Sequence, residues 1–133
     1  MIYLLDTNIC IYVIQHKPPE VRQHFEQHHI RDIAVSAITV AELQYGVEKS
    51  QQRARNQHAL DQFLLPLTII DFDHAAAQAY GKIRSTLEQC GTPIGALDLQ
   101  IAAIALSRNL IVVTNNTREF ARVPGLTVEN WVS

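Results

Sequence analysis

Apolar residues along this chain fall into two alternating patterns. Short continuous runs at residues 2–5, 33–35, 68–70, 110–113 and 126–128 have the make-up of strands buried on both faces. Between them lie longer stretches with helical spacing. Residues 9–15 and 19–28 read as two helices, the second opened by Pro19, a favourable first-turn residue. Ser36 predicts an N-cap for a helix over 38–49, and residues 52–64 form another that stops before Pro66. Asp73 caps a long helix over 75–90, which ends at Gly91, and Asn109 closes an alanine- and leucine-rich helix over 96–108. Strand and helix alternate through most of the chain. The predicted fold is therefore α/β, a three-layer sandwich around a mostly parallel central sheet of about five strands.

A length of 133 residues suits one domain, so residues 1–133 are read as a single unit. A hydrophobic share of 47% and a charged share of 18% are globular values and exclude extended disorder. No apolar run approaches the length of a membrane span and no basic leader opens the chain, which predicts a cytosolic protein that makes no membrane contact. Cys10 and Cys90 lack metal-site spacing and read as buried or half-buried free thiols. A net charge of −2 is unhelpful to a nucleic-acid binder unless several acids converge on a cation in one pocket.

Open parallel sheets bind ligands at the carboxyl ends of their strands, and several acids of this chain fall there. Asp6 follows the first strand directly, with Thr7 and Asn8 as short polar groups able to orient it; the same three residues also suit a helix cap. Glu42 falls early in the helix after the second strand, where the macrodipole alone would favour it. Asp98 sits in a helix that is otherwise almost entirely apolar. A carboxylate buried there needs a cation or a basic partner, although a position near the helix start also allows capping. Glu119, in Thr114-Asn115-Asn116-Thr117-Arg118-Glu119, reaches the rim after the fourth strand or is an ordinary exposed residue of a short helix capped by Thr117. Together the four carboxylates would repel strongly, by roughly 4 kcal/mol for a pair about 4 Å apart at an effective dielectric of 20, unless a proton or cation intervenes. Oxygen-only donors point to Mg²⁺ or Mn²⁺, and so to phosphoryl-transfer chemistry.

Four motifs carry a resemblance: Leu5-Asp6-Thr7-Asn8; Val40-Ala41-Glu42-Leu43-Gln44-Tyr45-Gly46; Ile94-Gly95 with Asp98-Leu99-Gln100-Ile101-Ala102-Ala103; and Val113-Thr114-Asn115-Asn116-Thr117-Arg118-Glu119-Phe120. In order and spacing the chain resembles the PIN-domain toxins of the VapC type over essentially its whole length. That resemblance implies a PIN-like fold and a Mg²⁺- or Mn²⁺-dependent endoribonuclease of a toxin–antitoxin pair. It also implies a VapB-type antitoxin that blocks the site and brings operator DNA, homodimerisation, and structured RNA such as initiator tRNA as substrate. Carried over by position, Asp6 and Asp98 become direct metal ligands and Glu42 and Glu119 complete the pocket, with Thr7, Asn8, Thr114 and Asn116 in support. Asn116 stands where many members have aspartate, which leaves the fourth acid to Glu119 and favours a one-ion site.

Three other signals compete. Asp71-Phe72-Asp73 after an apolar strand resembles the nucleophile motif of haloacid-dehalogenase-type phosphatases, the main alternative, but only 60 residues follow it and Ala75 stands where Thr or Val is expected. A receiver-like domain would need a late lysine, and none follows Lys82. His24, His28 and His29 read as a solvated helix face, and the arginines scattered from Arg22 to Arg118 cannot be assigned to one face.

Overall fold

A computed structural model of the chain describes residues 1–132. In chain order it contains β1 (Tyr3–Leu5), α1 (Thr7–Gln15), α2 (Pro19–Gln27), a 3-10 turn (Ile30–Asp32), β2 (Ile33–Ser36), α3 (Ala37–Glu48) and α4 (Arg53–Leu64). There follow β3 (Thr68–Ile70), α5 (His74–Gln89), α6 (Ala96–Arg108), β4 (Ile111–Val113), α7 (Thr117–Phe120) and β5 (Val128–Glu129). The five strands pair in the order β3-β2-β1-β4-β5, every pair parallel. The predicted sandwich is thus present, with a sheet that is parallel throughout.

Side chains alternate across this sheet and feed two cores. Leu4 is in register with Ala34 and Val112 and meets Ile83 and Leu87 of α5 and Ile101 and Ile104 of α6. Leu5, in register with Val35 and Val113, faces the other layer, where Ile9, Val13, Val21, Leu43, Val47 and Leu60 come from α1 to α4. Because both faces are roofed, the central strands carry apolar residues at nearly every position. In α6, Ala102, Ala103 and Ala105 are fully buried, and their small side chains let the helix lie close to both the sheet and α5. Among the described residues no helix is long and apolar enough to cross a membrane.

The local stop and start signals act as read. Asp6, Ser36 and Asp73 accept hydrogen bonds from the Ile9, Thr39 and Ala76 N–H groups at 3.0, 3.0 and 2.9 Å. Asn109 ends α6 in the left-handed region at φ 56°. Most boundaries shift by a residue or two: α1 begins at Thr7 because the Asp6 cap starts it at once, β5 falls at Val128–Glu129 rather than 126–128, and Asn116, rather than Thr117, precedes the first turn of α7. Asp71-Phe72-Asp73 resolves as strand end and helix cap, with Asp73 also 3.4 Å from Arg108. Cys10 is buried as expected, whereas Cys90 is exposed at the end of α5.

The histidines of α2 depart from the sequence reading. His24 and His28 are half-buried, and their rings stack nearly parallel to the Trp131 indole, with centroids 5.7 and 5.1 Å away. Tyr3 packs edge-on against the same indole, which also donates from Nε1 to Glu129 at 2.8 Å. A helix face that looks solvated on local spacing is covered by the chain's far end. Only His29 stays exposed, accepting the Arg31 N–H at the start of the 3-10 turn.

Trp131→Ala is expected to cost about 3–5 kcal/mol in a urea titration followed by circular dichroism, because Trp131 is 1% exposed and pins the tail to β1 and α2. Tyr45→Ala, at a side chain 66% exposed, should stay within about 0.5 kcal/mol.

Candidate active site

Strand order reverses at β1: β2 and β3 lie to one side of it, β4 and β5 to the other. Chain segments diverging at such a point open a crevice beyond the carboxyl ends of the strands. Asp6 is the first residue past β1 in that crevice, and its N–H donates to the Val113 carbonyl at 3.0 Å, tying it to the end of β4. Its side chain is 4% exposed. Oδ1 accepts the Ile9 N–H, and the Thr114 hydroxyl also donates to this carboxylate while accepting the Asn116 N–H at 2.9 Å. Asp6 is therefore both the helix cap and the buried acid of the crevice. Burial pushes its pKa up, the bonds from Thr114 and Ile9 hold it down, and the charge of Glu42 adds to the rise.

Glu42 enters from the second turn of α3. Its Oε1 accepts the Thr7 hydroxyl at 2.7 Å, and Thr7 Oγ1 lies 3.2 Å from the hydroxyl of fully buried Thr39. Asp98 enters from the first turn of α6 and is half-buried. Its carboxyl is pushed up to about 7, first by burial, then by the hydrogen bond it shares with Glu119, then by the charges of Glu119, Asp6 and Glu42. Glu119, in the first turn of α7, is clamped: its Oε1 accepts the Gly95 N–H at 2.6 Å and its Oε2 accepts from the Asn116 side-chain amide. The Gly95 backbone lies against both acids, since a Cβ there would sit 3.5 Å from Glu119 Oε1 and 3.8 Å from Asp98 Oδ2.

All four predicted acids thus reach one crevice, and Asp98 feels the other three. Of the supporting residues, Thr7 holds Glu42, Thr114 holds Asp6 and Asn116 holds Glu119, whereas Asn8 is exposed and takes no part in these bonds. Sequence reasoning missed Thr39 and the Gly95 N–H. It also missed the tie from the Asn115 amide to the Tyr12 hydroxyl at 3.1 Å on the rim. Thr39 could have been suspected as a hydroxyl on an apolar stretch; a backbone donor leaves no signal in the sequence.

The donor set fits a hard divalent cation. The converging groups are carboxylates, and burial and neighbouring acids raise the pKa of Asp6 and Asp98, so positive charge in the crevice stabilises the ionised forms of these two. Cys10 offers no competing thiolate, because burial and the Asp6 charge keep its thiol protonated. Among the described residues no group of three or more acid, His or Cys side chains is placed to hold an ion as it stands.

Fold and site together define a class: a metal-dependent nuclease built on a parallel α/β sheet. Residues 3–126 match the PIN domain family model. The chain is 46% identical over 129 residues to the tRNA(fMet)-specific endonuclease VapC of Shigella flexneri, covering 97% of each, and 48% identical over 132 residues to Ribonuclease VapC2 of Rickettsia felis, covering 98% of each. VapBC2 from Rickettsia felis, solved bound to a promoter DNA fragment, matches with a TM-score of 0.90 at 47% identity over 98% of this chain and 99% of that one. DNA-bound VapBC from Salmonella typhimurium matches with a TM-score of 0.92 at 44% identity, covering 98% of each. The chain belongs to the PIN-domain family, among its VapC ribonucleases. PIN-domain ribonucleases are metal-dependent.

A pH effect follows from Asp98. Its folded pKa of about 7 lies above the ordinary 3.8, so its contribution to stability is complete below pH 4 and is lost as pH rises through 7. In EDTA, the melting temperature should fall between pH 5 and pH 8 more steeply for wild type than for Asp98→Asn, which should melt higher at pH 8. Parallel profiles in differential scanning calorimetry would count against the coupled pocket.

Proposed function

We propose that Asp6, Glu42, Asp98 and Glu119 hold a Mg²⁺ ion, with Mn²⁺ an effective substitute, and that this chain cuts structured RNA as the toxin of a toxin–antitoxin pair. Asp6 and Asp98 are the direct ligands and Glu42 and Glu119 complete the pocket. The geometry that carries this reading is the convergence of the four acids on one crevice: Asp6 leaves β1 beside the end of β4, Glu42 is held by the adjoining Thr7, and Glu119 and Asp98 lie against the same Gly95 backbone. A divalent ion held there supplies Lewis-acid neutralisation of phosphate charge and a more acidic bound water.

The protein's own residues fix the geometry around it. Thr7 turns Glu42, Thr114 turns Asp6, and the Gly95 N–H and Asn116 amide turn Glu119 toward Asp98. Such outer contacts set ligand orientation and typically change metal affinity or activity by about 10–100-fold when removed. With Asn116 a donor to Glu119 rather than a further acid, the pocket suits a single ion.

Substrate and partners rest on the relatives. The Shigella relative is named for tRNA(fMet), which makes initiator tRNA the first candidate, with inhibited translation as the consequence. The matched structures are VapBC assemblies, two of them on DNA, which supports a VapB-type antitoxin that covers the site and brings operator DNA. Residues 1–133 act as one nuclease domain, as a homodimer, in the cytoplasm. Against the phosphatase alternative, Asp73, the second acid of that motif, caps α5 and pairs with Arg108.

Asp6→Asn or Asp98→Asn should lower Mg²⁺-dependent cleavage of tRNA at least about a hundredfold, and Thr7→Val about tenfold. Purified protein with a labelled initiator tRNA, together with sequencing of RNA ends after brief induction, reads both effects. Undiminished cleavage by contaminant-free Asp98→Asn protein would overturn the reading.

A further inference from the structure

The four acids make the crevice repel the very polyanion it is proposed to cut, so neighbouring cations must hold the substrate. Thirteen acids less the four of the pocket leave nine against eleven Lys and Arg, so the rest of the molecule is net positive. Three arginines are paired elsewhere: Arg22 with Glu26, Arg53 with Glu48, and Arg108 with Asp73 at the far end of α6. Arg84 and Arg122 instead lie against the segment that leads into α6, on the Glu119 side of the crevice, and Arg118 directly precedes Glu119 in the chain.

The segment is Pro93-Ile94-Gly95-Ala96. One side of it holds Glu119 through the Gly95 N–H. Its other side, with Tyr80, Arg84, Leu87, Glu88 and Leu99, lines a cavity of about 190 Å³. This is smaller than the roughly 300–1,000 Å³ of small-molecule sites, and a single ring system suits it better than a metabolite. Leu87 and Leu99 are buried and make an apolar floor. Arg84 is held at the mouth by the Tyr80 hydroxyl at 3.2 Å and Glu88 at 3.3 Å, and its side chain is 56% exposed. Arg122 donates to the Pro93 carbonyl at 2.9 Å, which fixes the same wall. Arg118, four residues earlier and exposed, makes no ion pair among the described residues.

We propose that Arg84, Arg122 and Arg118 form a phosphate track beside the acidic crevice, and that the Tyr80–Ile94 cavity receives one unstacked nucleobase of the RNA strand flanking the cleaved bond. The proposal rests on the nuclease reading above and adds to it where the substrate lies. A planar guanidinium fork suits phosphate, and an apolar cavity edged by a tyrosine suits a base taken out of its stack. The arrangement leaves the opposite side of the crevice, toward Glu42, to the strand beyond the cleaved bond.

The test is steady-state cleavage of initiator tRNA by the full chain in Mg²⁺ across a salt series. Arg84→Ala should raise KM about tenfold with little change in kcat, and flatten the slope of log KM against log salt by about 0.7–0.9. Arg84→Lys should recover most of that slope, and Tyr80→Ala should raise KM without altering it. Arg108→Ala, at the far end of α6, is the charge-matched control. If Asp98→Asn is inactive yet Arg84→Ala keeps the wild-type KM and salt slope, the track is wrong while the nuclease reading stands, and the same holds if Arg84→Ala weakens only antitoxin binding. If Asp98→Asn cleaves normally, the underlying reading fails instead.

Discussion

Mutual repulsion among four carboxylates in one half-buried crevice is the constraint around which this molecule is arranged. Each acid alone would rather face water, and bringing them together costs several kcal/mol unless charge is neutralised. The fold meets that demand at the edge of its sheet. Leu5 pairs with Val113 in parallel register, so the next residues, Asp6 and Thr114, meet side by side beyond the strands. There the Thr114 hydroxyl can donate to Asp6. Asp98 and Glu119 lie in the first turns of their helices and Glu42 in the second turn of its own, so helix N-termini help to hold negative charge where the sheet alone would not.

Rigidity behind the crevice makes the arrangement hold. A sixth helix whose alanines are buried against both sheet and α5 cannot slide without opening the core, so Asp98 is fixed although it is the polar exception on that helix. Glu119 sits on a helix of only four residues and is held by two donors from other positions, Gly95 and Asn116. Two acids are therefore positioned chiefly by the core and the first strand, and one by hydrogen bonds in the loop region.

Much of this was legible in the chain because it is local. Ser36, Asp73 and Asn109 announce helix ends by their own chemistry, and the apolar surroundings of Asp98 announce its burial. Asp6 is open in the sequence to a cap or a ligand; the structure shows the cap, one carboxylate oxygen accepting the Ile9 N–H, on a side chain buried in the crevice. Non-local contacts were not legible. His24 and His28 read as solvated because nothing nearby in sequence covers them, and the covering indole belongs to the other end of the chain. The placement of Arg84 and Arg122 against the Pro93 segment depends on α5 and the turn after α7 being brought to one loop, which no spacing reveals. Asn8, placed with the site by motif alone, lies outside its hydrogen bonds.

The most direct test of the shared pocket is proton release on metal binding. A cation that displaces the proton held on Asp98 must liberate it. Titration calorimetry of the full chain with Mg²⁺, repeated in buffers of different ionisation enthalpy, should give close to one proton per ion at pH 6 and close to none at pH 8.5, because Asp98 titrates near 7. Binding with no proton release at pH 6, or with the same release at both pH values, would contradict a single cation site built on these four acids.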